Sequence, residues 1–295
     1  MNTRRNMLAA MISLSCAVFT PMAVWAAGFS SDRITVKTEG TGTDVILIPG
    51  LSSSPRVWAE MIKAVPGYRY HLVQVSGFAG QAAGGNSEGV VSAPVAEEIA
   101  RYISSTESHR PVVIGHSMGG TIGMMLAARH PEAVSKLMVV DMFPFLGALF
   151  GPPGTTAQSV KPIADGMMAK MLAAEPAARA QRTEATINSM INNVAMRPGA
   201  LEDGQKSDPG VAARAYHELI ITDLTPELKN IIVPTTVLYV LPNGAPLTEA
   251  QIDAFYQSAY ASLKGVTLKR IPASAHFIMW DQPEQFQAEV KNFLK

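Results

Sequence analysis

The segment Pro111-Val112-Val113-Ile114-Gly115-His116-Ser117-Met118-Gly119-Gly120 constrains the fold more than any other stretch of this chain. Three apolar β-formers lead into Gly-x-Ser-x-Gly, and residues 121–129 run on as a helix. A serine held at so tight a strand-to-helix turn occupies a strained backbone position, so the side chains beside it must vanish. Gly115 and Gly119 meet that demand. The helix that follows adds oriented N–H groups and a positive dipole end.

The rest of the chain supplies a sheet for that unit. From about residue 32, strand-like and helix-like segments alternate, which predicts an α/β fold with a mostly parallel sheet flanked by helices. Residues 33–37 and 45–48, separated by Gly40-Thr41-Gly42, predict a hairpin. Residues 68–75, 112–114, 137–140, 235–241 and 267–271 predict further strands. Several are continuous apolar runs, as expected of strands buried on both faces. Residues 56–65, 93–104, 118–129, 249–264 and 282–294 predict helices. Asp281 and Glu284 form an Asp-x-x-Glu cap for the last, with Pro283 in its first turn.

One interval breaks the alternation. No strand is evident between residues 140 and 235, too long a gap for an ordinary connection. Within it 162–174, 176–195 and 209–222 predict helices, broken at Pro152-Pro153-Gly154, Pro198-Gly199 and Pro209-Gly210. The expected organisation is a leader over 1–26 and a domain over 27–295, carrying a helical cap at about 144–230. Met167, Met168, Met171, Met190 and Met196 fall in that cap, where flexible thioethers pack a core and suit an apolar pocket wall.

Residues 1–26 read as a signal peptide. Arg4 and Arg5 give a positive start, 7–18 a mostly apolar run, and Val24 and Ala26 the −3 and −1 positions of a cleavage site. The run is short and interrupted by Ser13 and Ser15, so no membrane span is expected in the mature protein. Thr3-Arg4-Arg5-Asn6-Met7-Leu8 also resembles a twin-arginine export signal, although two arginines are ordinary in any leader. The expected location is the bacterial periplasm or the exterior. The one cysteine, Cys16, lies in the leader, with Ser13 where a lipoprotein site wants leucine. The remainder then has no thiol for disulfides, nucleophilic attack or metal binding. Lys plus Arg and Asp plus Glu both number 24, so no basic field gathers a polyanion and nucleic acid is not an expected partner. Nothing in the sequence sets an oligomeric state.

From about residue 32 onward the chain resembles the α/β-hydrolase superfamily. His116-Ser117-Met118-Gly119-Gly120 matches a nucleophile elbow frequent in its capped esterases and lipases. Ile48-Pro49-Gly50-Leu51-Ser52 resembles its oxyanion loop, with Pro49 where His usually precedes the glycine. The resemblance implies Ser117 as nucleophile and the backbone N–H groups of Leu51 and Met118 as oxyanion donors. A serine hydroxyl also needs a base. His276, in Ala273-Ser274-Ala275-His276-Phe277 after the last strand, stands where the family keeps its catalytic histidine. His71 falls in a strand, His109 in a loop, His130 at a helix end and His217 in the cap. Strand alternation is expected to turn His116 away from Ser117.

The acid departs from the family pattern. Its usual place, after the penultimate strand, reads Pro242-Asn243-Gly244-Ala245-Pro246-Leu247-Thr248, without a carboxylate. Asp141 is the expected substitute. It ends the strand 137–140, where some lipases of the superfamily place their acid, and keeps the order serine, acid, histidine. Glu249 is the next carboxylate but suits a helix first turn equally well. Asp223 precedes Leu224-Thr225-Pro226 and reads as a turn or helix cap.

Serine, histidine and two amide donors specify acyl transfer to water. The expected substrate is a small molecule, a carboxylic ester of small to medium size and mostly apolar. The sparsely charged segment 76–81 and Phe143, Phe145, Leu149 and Phe150 would border the pocket, unless these aromatics simply pack beneath the cap. Serine at the elbow does not fit the dehalogenase and epoxide hydrolase branches. No cofactor or metal is expected, since neither a phosphate-binding glycine loop nor a metal-ligand pattern occurs. Two alternatives stand: cleavage of an amide, thioester, lactone or carbon–carbon bond or perhydrolysis by the same groups, and a ligand-binding module without turnover.

Overall fold

Residues 29–106 and 110–295 are described by a computed structural model; the leader, Cys16 and His109 lie outside the described residues. The strands are β1 (Ile34–Gly40), β2 (Thr43–Ile48), β3 (Tyr68–Val75), β4 (Val112–His116), β5 (Lys136–Val140), β6 (Thr235–Tyr239) and β7 (Thr267–Arg270). The helices are α1 (Ala59–Ala64), α2 (Ser92–Ser105), α3 (Met118–Arg129), α4 (Ala157–Leu172), α5 (Pro176–Met190), α6 (Arg197–Lys206), α7 (Pro209–Ile221), α8 (Glu249–Ala259), α9 (Ile278–Asp281) and α10 (Pro283–Leu294). Among the described residues the strands form one seven-stranded sheet, ordered β1-β3-β2-β4-β5-β6-β7 and parallel except at β1. This is the α/β architecture that the alternation predicts.

Apolar runs without polar alternation must be covered on both faces, and here they are. Val113, Leu137 and Val139 point into one core with Ile99, Ile122 and Leu126 of α2 and α3. Val112, Ile114, Met138 and Val140 point into the other with Met61 of α1 and Phe286 and Val290 of α10.

The expected hairpin does not form. β3 lies between β1 and β2, antiparallel to the first (Ile34↔Val75) and parallel to the second (Val45↔Tyr70). Gly40 and Gly42 carry the chain across the start of β3, where a Cβ on either would strike the carbonyl of Tyr68 or Gly67. Two adjacent strands joined by a glycine turn look like a hairpin until a later strand takes the place between them.

Helices α4 to α7 fill the interval between β5 and β6. A capping box of Thr156 and Ser159 starts α4 before Pro162, which sits inside the helix. The Pro198-Gly199 break is instead the first turn of α6, where the missing proline N–H costs nothing. α7 packs on α4 through Phe145, Val160, Ala164 and Ile220, with Met167 beside them. Met190 and Met196 lean on the core that holds Trp280. No residue of α5 is buried. Among the described residues no helix is long and apolar enough to cross a membrane.

Candidate active site

Parallel pairing of β4 and β5 sets His116 opposite Val140, so Ser117 and Asp141 leave neighbouring strands side by side. Both have left-handed backbone, φ +53° and +52°. Non-glycine residues pay about 1–3 kcal/mol for such geometry, so the surroundings must enforce it. They do: Ser117 N–H donates to the Val140 carbonyl at 2.9 Å, and Asp141 N–H to Leu238 at 2.7 Å. A Cβ on Gly115 would collide with the Gly119 carbonyl, and one on Gly119 with that of Ile48. Glycine is therefore required on both sides of the elbow.

The Ser117 carbonyl accepts the N–H groups of Gly120 and Thr121 at 2.7 and 3.2 Å, opening α3. Met118 N–H, at the first helical position, has no acceptor within the helix. The loop after β2 lies against this turn: a Cβ on Gly50 would come within 3.0 Å of Ser117 Cβ and 3.2 Å of His116 Nδ1. Leu51 N–H makes no hydrogen bond among the described residues.

His276 follows β7 on a loop. Its Nδ1 donates to Asp141 Oδ2 at 2.6 Å, so Nε2 is the ring nitrogen that the carboxylate does not engage. The other Asp141 oxygen accepts from Val240 N–H at 3.2 Å and the Tyr256 hydroxyl at 3.1 Å. Burial, and then the Asp141 charge, push the Tyr256 hydroxyl well above its usual range, so it stays a donor. His276 keeps 21% of its side chain exposed and Asp141 10%, a site open at the imidazole and closed around the acid. The Ser117 hydroxyl makes no hydrogen bond among the described residues.

His116 has a part that strand alternation did not reveal. It is fully buried, its ring 4.7 Å from the His276 ring, and its Nε2 donates to the His276 carbonyl at 3.0 Å. Burial, and then the neighbouring His276, hold it well below the usual histidine range, so it is neutral.

Asp281 is a correction. Gln282, not Asp281, stands at the N-cap of α10, because the extra turn α9 comes first. Asp281 accepts Ala275 N–H at 2.8 Å and the N–H groups of Asn192 and Asn193 at 2.9 Å each. Phe277 N–H also reaches the Met190 carbonyl at 3.2 Å. The His276 loop is thus stitched to the end of α5.

The competing carboxylates lie elsewhere. Glu249 pairs with Arg270 at 2.7 Å, and Asp223 accepts Thr225 N–H at 2.9 Å. His71 is held between Asp44 and Tyr102, His130 meets Glu97 and His217 meets Asp165. Phe143 packs in the core edge-to-face on Phe255 and tilted on Tyr256, and Phe145 packs under α4 and α7, whereas Leu149 is half exposed. Phe78 of segment 76–81 is buried in the core, and Ala79 N–H is held by Ser207 Oγ at 2.9 Å. Among the described residues no group of three His, Cys, Asp or Glu side chains is placed to hold a metal ion.

Comparison with known proteins places the chain by family and fold. A sequence model described as the alpha/beta hydrolase family matches residues 45–289. A pimeloyl-[acyl-carrier protein] methyl ester esterase from Pectobacterium carotovorum is 32% identical over 120 residues, 40% of this chain and 44% of that one. The chain thus spans less than half the length of that curated relative. An esterase from Exiguobacterium antarcticum superposes with a TM-score of 0.74 at 18% identity, over 88% of this chain and 95% of the other. The enol-lactonase from Burkholderia xenovorans LB400 superposes with a TM-score of 0.72 at 17% identity, over 88% and 96%. At those identities the likeness is one of fold.

Proposed function

The chain belongs to the alpha/beta hydrolase family, and from that premise we propose that it is a serine hydrolase cleaving small to medium, mostly apolar carboxylic esters through an acyl-enzyme. The observation that carries the reading is the 2.6 Å hydrogen bond from His276 Nδ1 to Asp141, beside a serine in left-handed backbone. The methyl ester esterase among its relatives supports the ester as the bond attacked.

In this reading Ser117 Oγ attacks the ester carbonyl carbon while its proton passes to His276 Nε2. Asp141 keeps the imidazole in the required tautomer and stabilises the imidazolium that forms. The carbonyl oxygen takes up the negative charge and receives hydrogen bonds from Leu51 and Met118 N–H. Each such donor contributes about 10²- to 10³-fold in rate. Collapse expels the alcohol, which leaves with the proton from His276. Water then gives a proton to the same Nε2, attacks the acyl-enzyme, and releases the carboxylic acid and a free Ser117 hydroxyl. Residues 1–26 act as the export leader of a periplasmic or secreted enzyme, so the intact mass of exported protein should begin at Ala27.

A series of p-nitrophenyl esters beside the matching anilides tests the reaction. Esters of short and medium chain should turn over, and Ser117→Ala should lose activity by on the order of 10⁴-fold or more. Preference for the anilides would make the enzyme an amidase. Activity retained in Ser117→Ala would remove the nucleophile.

A further inference from the structure

The loop that carries Leu51 has few means of holding itself. Its turn is closed by Ser53 N–H on the Gly50 carbonyl at 3.2 Å and by Ser53 Oγ on the Leu51 carbonyl at 3.3 Å. Ser52 sits in left-handed backbone at φ +54°. A strained, half-buried loop needs an anchor from outside.

That anchor is Asp203. Its Oδ2 accepts both the Ser54 N–H at 3.0 Å and the Ser54 hydroxyl at 2.5 Å. Its Oδ1 pairs with Arg56 at 3.2 Å, and Arg56 also reaches Glu202 at 2.9 Å. The Asp203 side chain is only 4% exposed, and a carboxylate so buried is tolerated only when its oxygens are paired. Asp203 belongs to α6, in the insertion, 149 residues from Ser54. The same helix grips the next loop, for the Asp203 carbonyl accepts from Ser207 Oγ at 2.8 Å, and that oxygen accepts Ala79 N–H.

We propose that Asp203 is a positioning residue for the oxyanion loop, aiming the Leu51 N–H only while α6 is seated on the sheet domain. The inference rests on the serine hydrolase reading. The carboxylate replaces the flexible end of the loop with a fixed point at Ser54. An oxyanion donor acts through its aim, and a displacement of about 1 Å costs on the order of 10²-fold in rate. The insertion therefore completes one wall of the site.

The test compares Asp203→Asn, Asp203→Glu and Ser54→Ala with Glu202→Gln, which alters the exposed partner of Arg56 and Lys206 and leaves Asp203 in place. Each is read by kcat and KM on p-nitrophenyl butyrate, and by hydrogen exchange of the peptide covering residues 50–58. In Asp203→Asn one Ser54 donor or Arg56 faces an amide NH₂. Its kcat should fall about 10- to 100-fold with KM within about 3-fold, and exchange of that peptide should rise. Asp203→Glu should recover part of the rate, and Glu202→Gln should behave as wild type. If Asp203→Asn fails to fold, Ser54→Ala carries the test with a drop of about 3- to 10-fold in kcat. Unchanged exchange of the loop overturns the proposal, as does a kcat within about 2-fold of wild type. A wild-type protein that hydrolyses no ester and ignores a fluorophosphonate fails the underlying reading instead. In that case the exchange measurement still decides whether Asp203 holds the loop.

Discussion

Asp141 and His276, 135 residues apart in the chain, meet through a 2.6 Å hydrogen bond to the imidazole Nδ1. The carboxylate comes from the end of β5, not from the loop after β6, where the sequence 242–248 offers none. The pairing of β5 with β6 explains how it reaches: Val140 lies opposite Leu238, and Asp141 N–H donates to the Leu238 carbonyl. The ends of β5 and β6 therefore lie side by side.

If Asp141 holds the tautomer, Asp141→Asn should lower kcat by on the order of 10³- to 10⁴-fold while KM changes little. Glu249→Gln should leave both unchanged, because Glu249 serves only the exposed pair with Arg270. Steady-state kinetics on one p-nitrophenyl ester separates the two. The reverse pattern would move the acid to α8.

Replacing Asp281 by Ala should loosen the His276 loop. Three backbone N–H groups, of Ala275, Asn192 and Asn193, lose their acceptor together. Groups so orphaned cost about 1–3 kcal/mol each where water cannot reach them, and less here because the site is partly open. We expect about 2 kcal/mol lost in urea unfolding, with kcat reduced about 10-fold. Lost stability with an unaltered kcat would show that the insertion stitches the fold without bearing on His276.

Acid should destabilise the protein through its buried histidines. His116 is held well below the usual histidine range by burial and then by His276, and His71 is lowered by burial against the opposing pull of Asp44. Below about pH 6.5 the unfolded chain binds protons at both positions that the folded chain does not. Their contribution is thus complete above that pH and is lost as pH falls toward the folded values. Urea unfolding at about pH 7.5 and pH 5 should show this fall, and a smaller fall in His116→Gln. An equal fall in the variant would mean that His116 is already charged in the native protein.

Much of this was legible in the residues. The continuous apolar strands and the glycine-flanked Ser117 follow from local pattern, because burial and tight turns leave marks in composition, whereas Asp141 follows from the resemblance to lipases that place their acid at this strand end. What escaped reading depends on elements that arrive later in the chain. The Gly40-Thr41-Gly42 turn looks like a hairpin because the strand that separates β1 from β2 comes after both. Asp281 looks like a cap because the short α9 gives no periodic signal. His116 and Asp203 had no visible task, since the first holds a backbone carbonyl and the second a loop 149 residues away. Both are buried polar residues, a property of the folded chain that the sequence does not mark.

The most direct test of the account is the site of covalent capture by a fluorophosphonate. Folded wild-type protein should take up one phosphonyl group, mapped by peptide mass spectrometry to Ser117. Ser117→Ala should take up none, and Asp141→Asn should react on the order of 10²-fold more slowly or less. Folded wild-type protein that stays unlabelled, or an adduct on another serine, would contradict it.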